Sequence, residues 1–157
     1  MIGREETVRV IEAAIDDMNP EIYSYLIEKL IRDGALDAFA TPVIMKKGRP
    51  ANLLTVTCRE ERLEAVLQII FLETTSLGVR IREEKRRVLR RTLAEVETTW
   101  GVVKIKEGYL DEAGVDPVQL APEYEDCRRI AEEKGIPLKE VYDVARSLAE
   151  RGKGKKK

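Results

Sequence analysis

A chain of 157 residues suits one domain with a short appendage and is long enough to bury a core of its own. Apolar residues make up 43% and charged residues 36%, split into 28 basic and 29 acidic, so no net field draws the chain to nucleic acid or to a membrane. There is no histidine, which removes Ser-His and Cys-His nucleophile pairs and histidine-ligated zinc or nickel sites built from this chain alone. What remains is hard-cation chemistry, with Mg2+ or Mn2+ held by carboxylates and phosphates, or ligand binding without chemistry.

Cys58 and Cys127 form neither a CxxC nor a zinc pattern and read as small buried hydrophobes. No apolar run approaches the roughly 20 residues of a membrane span, and the first six residues do not resemble a signal peptide, so a cytoplasmic location is expected.

In chain order, residues 7–15 mix β-branched and polar side chains and read as a first strand. Asn19-Pro20-Glu21 then signals a helix start: Asn can cap free amides, Pro fits the first helical position, and Glu complements the positive end. Apolar rows at Ile22/Leu26/Leu30 and Tyr23/Ile27/Ile31 give that helix its buried side, and Gly34 ends it. Residues 36–45 form a strand with Pro42 marking an edge or bulge, and residues 52–58 answer it across the turn Lys46-Lys47-Gly48-Arg49-Pro50. Residues 60–74 make a second helix, and a fourth strand begins at Val79. This β-α-β-β-α-β order predicts an α/β (α+β) fold with a ferredoxin-like core, both helices on one face of an antiparallel sheet.

A hairpin follows, residues 92–98 and 102–106, turned at Thr99-Trp100-Gly101. The expected organisation is a core with its hairpin extension over 6–106, an acidic loop over 107–121, two helices within 122–151, and a disordered basic tail over 152–157.

Four groups of residues could carry chemistry. Lys46, Lys47 and Arg49 converge on a tight turn in which Gly48 admits a close approach, which suits phosphate; an ordinary solvated hairpin reads the same way. Thr74, Thr75 and Ser76 place three hydroxyls where the second helix ends, and helix termination alone would account for them. Asp16 and Asp17 precede a helix N-terminus; the residue types suit either one of them capping it or both holding a divalent cation that bridges to phosphate oxygens. Residues 80–91 carry seven basic side chains and residues 107–126 seven acidic ones with no basic, so the two either form separate charged surfaces or pair.

Taken together, residues 15–21, 45–50, 73–80 and 122–127 resemble, in order and spacing, the C-terminal region of the LarC family of nickel-insertion proteins. The resemblance covers nearly the whole chain. It implies a CTP-binding domain, with Mg2+ or Mn2+, of the lyase-class cyclometallase that inserts nickel into pyridinium-3,5-bisthiocarboxylic acid mononucleotide, completing the nickel-pincer cofactor of lactate racemase. It also implies a histidine-rich N-terminal domain as partner, a homo-oligomer, and an incomplete catalyst in this chain alone. Carried over by motif, Lys46, Lys47, Gly48 and Arg49 would hold the triphosphate; Thr74, Thr75, Ser76 and Arg80 would bond the nucleotide; Asp16 and Asp17 would bind the metal. Two departures stand out: Ala14 replaces the family's Asn, and Thr99-Trp100 replaces a Pro-aromatic pair. The alternative is a non-catalytic ferredoxin-like regulatory, oligomerisation or RNA-binding module. RNA-binding versions display aromatics on central strands, and aromatics here total only 5%.

Overall fold

The computed structural model describes residues 2–111 and 116–153. Contacts divide the chain into two units, one spanning Glu6–Arg86 and the other joining the start of the chain to the part after Arg86.

The first unit contains β1 (Arg4–Ile15), α1 (Ile22–Arg32), β2 (Asp37–Met45), β3 (Arg49–Cys58), α2 (Leu63–Glu73) and β4 (Arg80–Val88), with β1 and β4 running a residue or two past its limits. The strands form one sheet in the order β2-β3-β1-β4, and β3 is antiparallel to both β1 and β2. This is the ferredoxin-like order expected from the succession of elements. Register explains the core. Ile11 stands opposite Val56, Ala13 opposite Leu54 and Ala38 opposite Val56, which puts them all on one face. Leu26 and Leu30 from α1 and Val66 and Ile70 from α2 pack on that face, each fully buried. Each such Leu or Ile contributes on the order of 1.5–3 kcal/mol.

α1 starts two residues after the expected proline. The Asn19 side-chain oxygen accepts a hydrogen bond from the Glu21 amide at 3.1 Å, and the Asn19 carbonyl accepts from the Ile22 amide at 3.1 Å. Pro42 sits on the edge strand β2, where a missing amide donor costs nothing.

The second unit contains β5 (Arg90–Thr98), β6 (Gly101–Tyr109), β7 (Gln119–Pro122), α3 (Tyr124–Lys134) and α4 (Leu138–Lys153). Its strands form a separate antiparallel sheet, β5-β6-β7. Val103, Ile105, Cys127, Ile130, Val141 and Ala145 form its core, with Trp100 packed against it. Gly135, at φ +64°, supplies the left-handed turn between the helices.

Several expectations are corrected. The hairpin groups with the C-terminal helices rather than with the ferredoxin-like core, because its inward side chains are buried by α3 and α4. The expected loop over 107–121 is partly strand: β6 runs to Tyr109, and β7 pairs with it from Ile105↔Pro122 to Gly108↔Gln119. Pro122 therefore ends an edge strand, and the first of the two helices expected within 122–151 begins at Tyr124. Gly152 continues α4, so the expected disordered tail does not start there. Residues 154–157, like 112–115 of the acidic loop, lie outside the described residues. Both cysteines are free and buried, and burial pushes each thiol above its ordinary value. No helix among the described residues is long and apolar enough to cross a membrane.

Candidate functional site

The site lies within the first unit, at the end of the sheet where β1 runs out. The Asp16-Asp17 step links two segments far apart in sequence. Arg49 donates to an Asp16 carboxylate oxygen at 3.0 Å, and the Thr75 hydroxyl donates to an Asp17 oxygen at 2.5 Å. One carboxylate thus reaches the β2–β3 turn and its neighbour reaches the segment after α2. These two candidate groups, which sequence alone could not place side by side, are joined by the third.

The turn itself is strained. Met45 and Arg49 are paired across it, and Lys46–Gly48 form a single 3-10 turn between them. Lys47 has φ +63° and ψ +21°, the left-handed region, and Gly48 follows at φ +68°. An L-residue there costs about 1–2 kcal/mol, so a lysine where glycine would be cheaper points to a use for its charge. Lys46 and Lys47 are exposed and make no ion pair with a described residue. Two ammonium groups are therefore available beside the Arg49 guanidinium.

Other candidates are committed elsewhere. The Thr74 hydroxyl donates to the Ile70 carbonyl at 2.7 Å and accepts from the Ser76 amide at 3.1 Å, and the Ser76 hydroxyl donates to the Gly78 carbonyl at 2.8 Å. These two close the helix end, and Thr75 alone of the three turns to the carboxylates. Arg80 lies on β4, 3.5 Å from Glu12 of β1.

The basic run over 80–91 is not an open phosphate surface. Arg82 pairs with Glu12 at 2.9 Å and Arg86 with Glu6 at 2.9 Å, while Arg9 meets Glu83 at 3.3 Å and Glu60 more closely. The two adjacent strands neutralise each other across the sheet, the pattern expected for opposite charges on paired strands. The acidic run serves its own unit. Glu123 holds Lys106 at 2.7 Å, and an Asp126 oxygen accepts from the Lys104 amide at 3.0 Å, which ties α3 to β6.

Two residues at the site escaped the sequence reading. Tyr23, in the first turn of α1, is 7% exposed, and its hydroxyl has no hydrogen-bond partner of sound geometry among the described residues. Asn52 stands opposite Ile15 and Pro42, a polar residue on the face otherwise lined by Ile15, Leu54 and Val56. Burial raises the Tyr23 phenol above its ordinary value; the nearby Asn52 side chain acts the other way, and the Asp17 carboxylate adds to the rise. Tyr23 reads in the sequence as one more member of an apolar row. Asn52 is a polar interruption at the head of an apolar strand, a signal that could have been used. Ala14 points to the opposite face of β1, across from Leu53.

Among the described residues no three acidic or cysteine side chains cluster as a metal site. Two adjacent carboxylates nonetheless fit a cation such as Mg2+, which keeps several waters and takes one or two carboxylates plus phosphate oxygens.

Fold and site together define an α/β domain of ferredoxin-like topology with an open, charged sheet end. The model of the nickel insertion protein family matches residues 2–142, and the chain belongs to that family. It is 42% identical over 149 residues to a pyridinium-3,5-bisthiocarboxylic acid mononucleotide nickel insertion protein of Thermotoga petrophila, covering 94% of this chain and 37% of the relative. A protein of the same name from Acetivibrio thermocellus is 44% identical over 140 residues, covering 89% of this chain and 33% of the relative. The chain thus spans 37% and 33% of the length of these two relatives. Among solved structures, the apo form of LarC2, the C-terminal domain of a cyclometallase involved in the synthesis of the NPN cofactor of lactate racemase, superposes with a TM-score of 0.84 at 33% identity. That match covers 94% of this chain and 99% of the solved one. A Methanopyrus kandleri protein superposes with a TM-score of 0.63 at 27% identity, covering 92% and 90%.

Proposed function

We propose that the first unit binds CTP together with Mg2+ or Mn2+, and that it does so in the service of nickel insertion into pyridinium-3,5-bisthiocarboxylic acid mononucleotide by a longer protein. The observation that carries this reading is the Asp16-Asp17 bridge between a lysine-bearing turn and Thr75. Lys46, Lys47 and Arg49 neutralise the triphosphate, and the Gly48 backbone allows its close approach. Asp16 and Asp17 hold the cation, whose chemistry is to draw together and neutralise phosphate oxygens. Arg49 and Thr75, which the two carboxylates hold in this structure, are the donors that would turn to the ligand if Asp16 and Asp17 held the cation. Thr74 and Ser76 keep the segment shaped rather than touching nucleotide, and Arg80 acts by steering.

Nickel is a substrate of this reaction. With no histidine in this chain, nickel delivery falls to the part of the relatives that this chain does not span, and the chain alone is an incomplete lyase-class catalyst. Leu72 and Leu77, both largely exposed beside Thr75, support a homo-oligomer that covers them.

Calorimetric titration with CTP, ATP, GTP and UTP, each with Mn2+ or Mg2+, tests the reading. Metal-dependent binding that favours CTP and drops at least tenfold in Lys46→Ala and Asp17→Ala is expected, on the scale of one lost charge-assisted contact. A folded protein that binds no nucleotide would sink it.

A further inference from the structure

The charged half of the site is set by Asp16, Asp17 and the 46–49 turn, but the same sheet end also has an uncharged half. Tyr23 is more than nine-tenths buried, yet among the described residues its hydroxyl has no hydrogen bond of sound geometry, although the Asn52 side chain lies near enough to act on it. Leaving a buried hydroxyl unmatched costs about 1–3 kcal/mol, so such a group calls for an explanation, and a bound ligand that completes its bonding is one. Asn52 lies on the same face of the sheet, level with Ile15, the last residue of β1 before the two aspartates. A packing role would favour an apolar side chain there, as at Leu54 and Val56 two and four residues on.

Charge divides the two halves. Arg49 and Asn52 are three residues apart on β3, so the pleat sends them to opposite faces. The Asp16-Asp17 step joins those faces at the strand end, with Asp16 toward Arg49 and Asp17 toward Thr75 and Tyr23. A phosphate chain suits the cationic side. The amide of Asn52 both donates and accepts, carries no charge, and suits hydroxyl or amide groups of the kind found on a sugar or a pyrimidine edge.

We propose that Asn52 is the nucleoside-contacting residue of the site and that Tyr23 is a positioning residue, whose hydroxyl takes up its hydrogen bond to Asn52 when ligand fixes the amide. This rests on the nucleotide-binding reading above and names the part of it that recognises the nucleoside. The unmatched phenol then belongs to the ligand-free state, and its hydrogen bond is gained on binding.

The experiment compares CTP with inorganic tripolyphosphate, each with Mn2+, by calorimetry on the wild-type chain, Asn52→Ala and Tyr23→Phe, with melting temperatures measured without ligand. Expected for both variants is a loss of about tenfold in CTP affinity with tripolyphosphate affinity unchanged, the scale of one hydrogen bond. Tyr23→Phe should also melt no lower than wild type, since it removes a hydroxyl that forms no hydrogen bond of sound geometry with a described residue. Equal losses for both ligands, or no loss for either, would overturn the assignment of Asn52. A lower melting temperature in Tyr23→Phe with CTP affinity intact would make Tyr23 purely structural and overturn its positioning role. A wild-type chain that binds neither ligand would instead sink the nucleotide-binding reading itself.

Discussion

The two units share a plan, an antiparallel sheet with two helices on one face and a core of its own, yet they dispose of their polar groups in opposite ways. In the second unit, charges are closed internally. Lys106 meets Glu123, the Lys104 amide meets Asp126, and Glu107 accepts from both Thr92 and Tyr109, at 3.0 and 2.7 Å. The first unit closes its long edge in the same way, β4 arginines against β1 glutamates. At its sheet end it does not. Lysines that pair with no described carboxylate, a left-handed Lys47 and a Tyr23 hydroxyl without a hydrogen bond of sound geometry among the described residues gather there. A count of charges would rank residues 80–91 first, but satisfaction within the fold is the better guide to where a ligand goes.

The largest effects should separate the two cores. Leu54→Ala and Ile130→Ala each remove a fully buried side chain, and each should cost about 2–5 kcal/mol. Chemical denaturation followed by CTP titration distinguishes them. Leu54→Ala should weaken binding along with the sheet that carries the site, whereas Ile130→Ala should leave affinity unchanged at temperatures where the protein stays folded. Equal losses of binding would mean that the site depends on both units and would break the contrast.

A smaller effect is expected at the internal polar contacts. Asp126→Ala removes the acceptor for the Lys104 amide and should cost about 1 kcal/mol, with nucleotide affinity intact. A fall in affinity would bring the acidic segment into the site.

Much of the first unit was legible in the sequence because its signals are local. Asn19-Pro20, Gly34, Pro42 and the apolar rows of the two helices each act within a few residues, and they placed the elements close to where the structure has them. What was not legible depends on register. β7 is four residues long and ends in a proline, so the alternation that pairing with β6 reveals is hidden. Glu6 and Glu12 are ordinary strand residues until β4 lies beside them. At the site, Asp16, Asp17, Arg49 and Thr75 could be picked out by type, but their meeting rests on contacts 33 and 58 residues apart. Tyr23 and Asn52 became candidates only once burial showed which polar group lacked a partner.

The smallest stability change, and the sharpest contrast, belongs to Lys47. Its left-handed backbone costs about 1–2 kcal/mol for an L-residue, while glycine accepts that conformation but loses roughly 0.5–1 kcal/mol through greater freedom in the unfolded chain. Lys47→Gly should therefore leave stability within about 1 kcal/mol of wild type, on the favourable side. The same change removes one of the two turn ammonium groups that pair with no described carboxylate and should weaken metal-nucleotide binding about tenfold, more at low salt than at high. Lys47→Ala keeps the strain and loses the charge, so it should match the glycine variant in affinity but not in stability. If both variants bound nucleotide like wild type, the strain at Lys47 would belong to the hairpin alone, and the unsatisfied end of the sheet would lose its strongest mark of use.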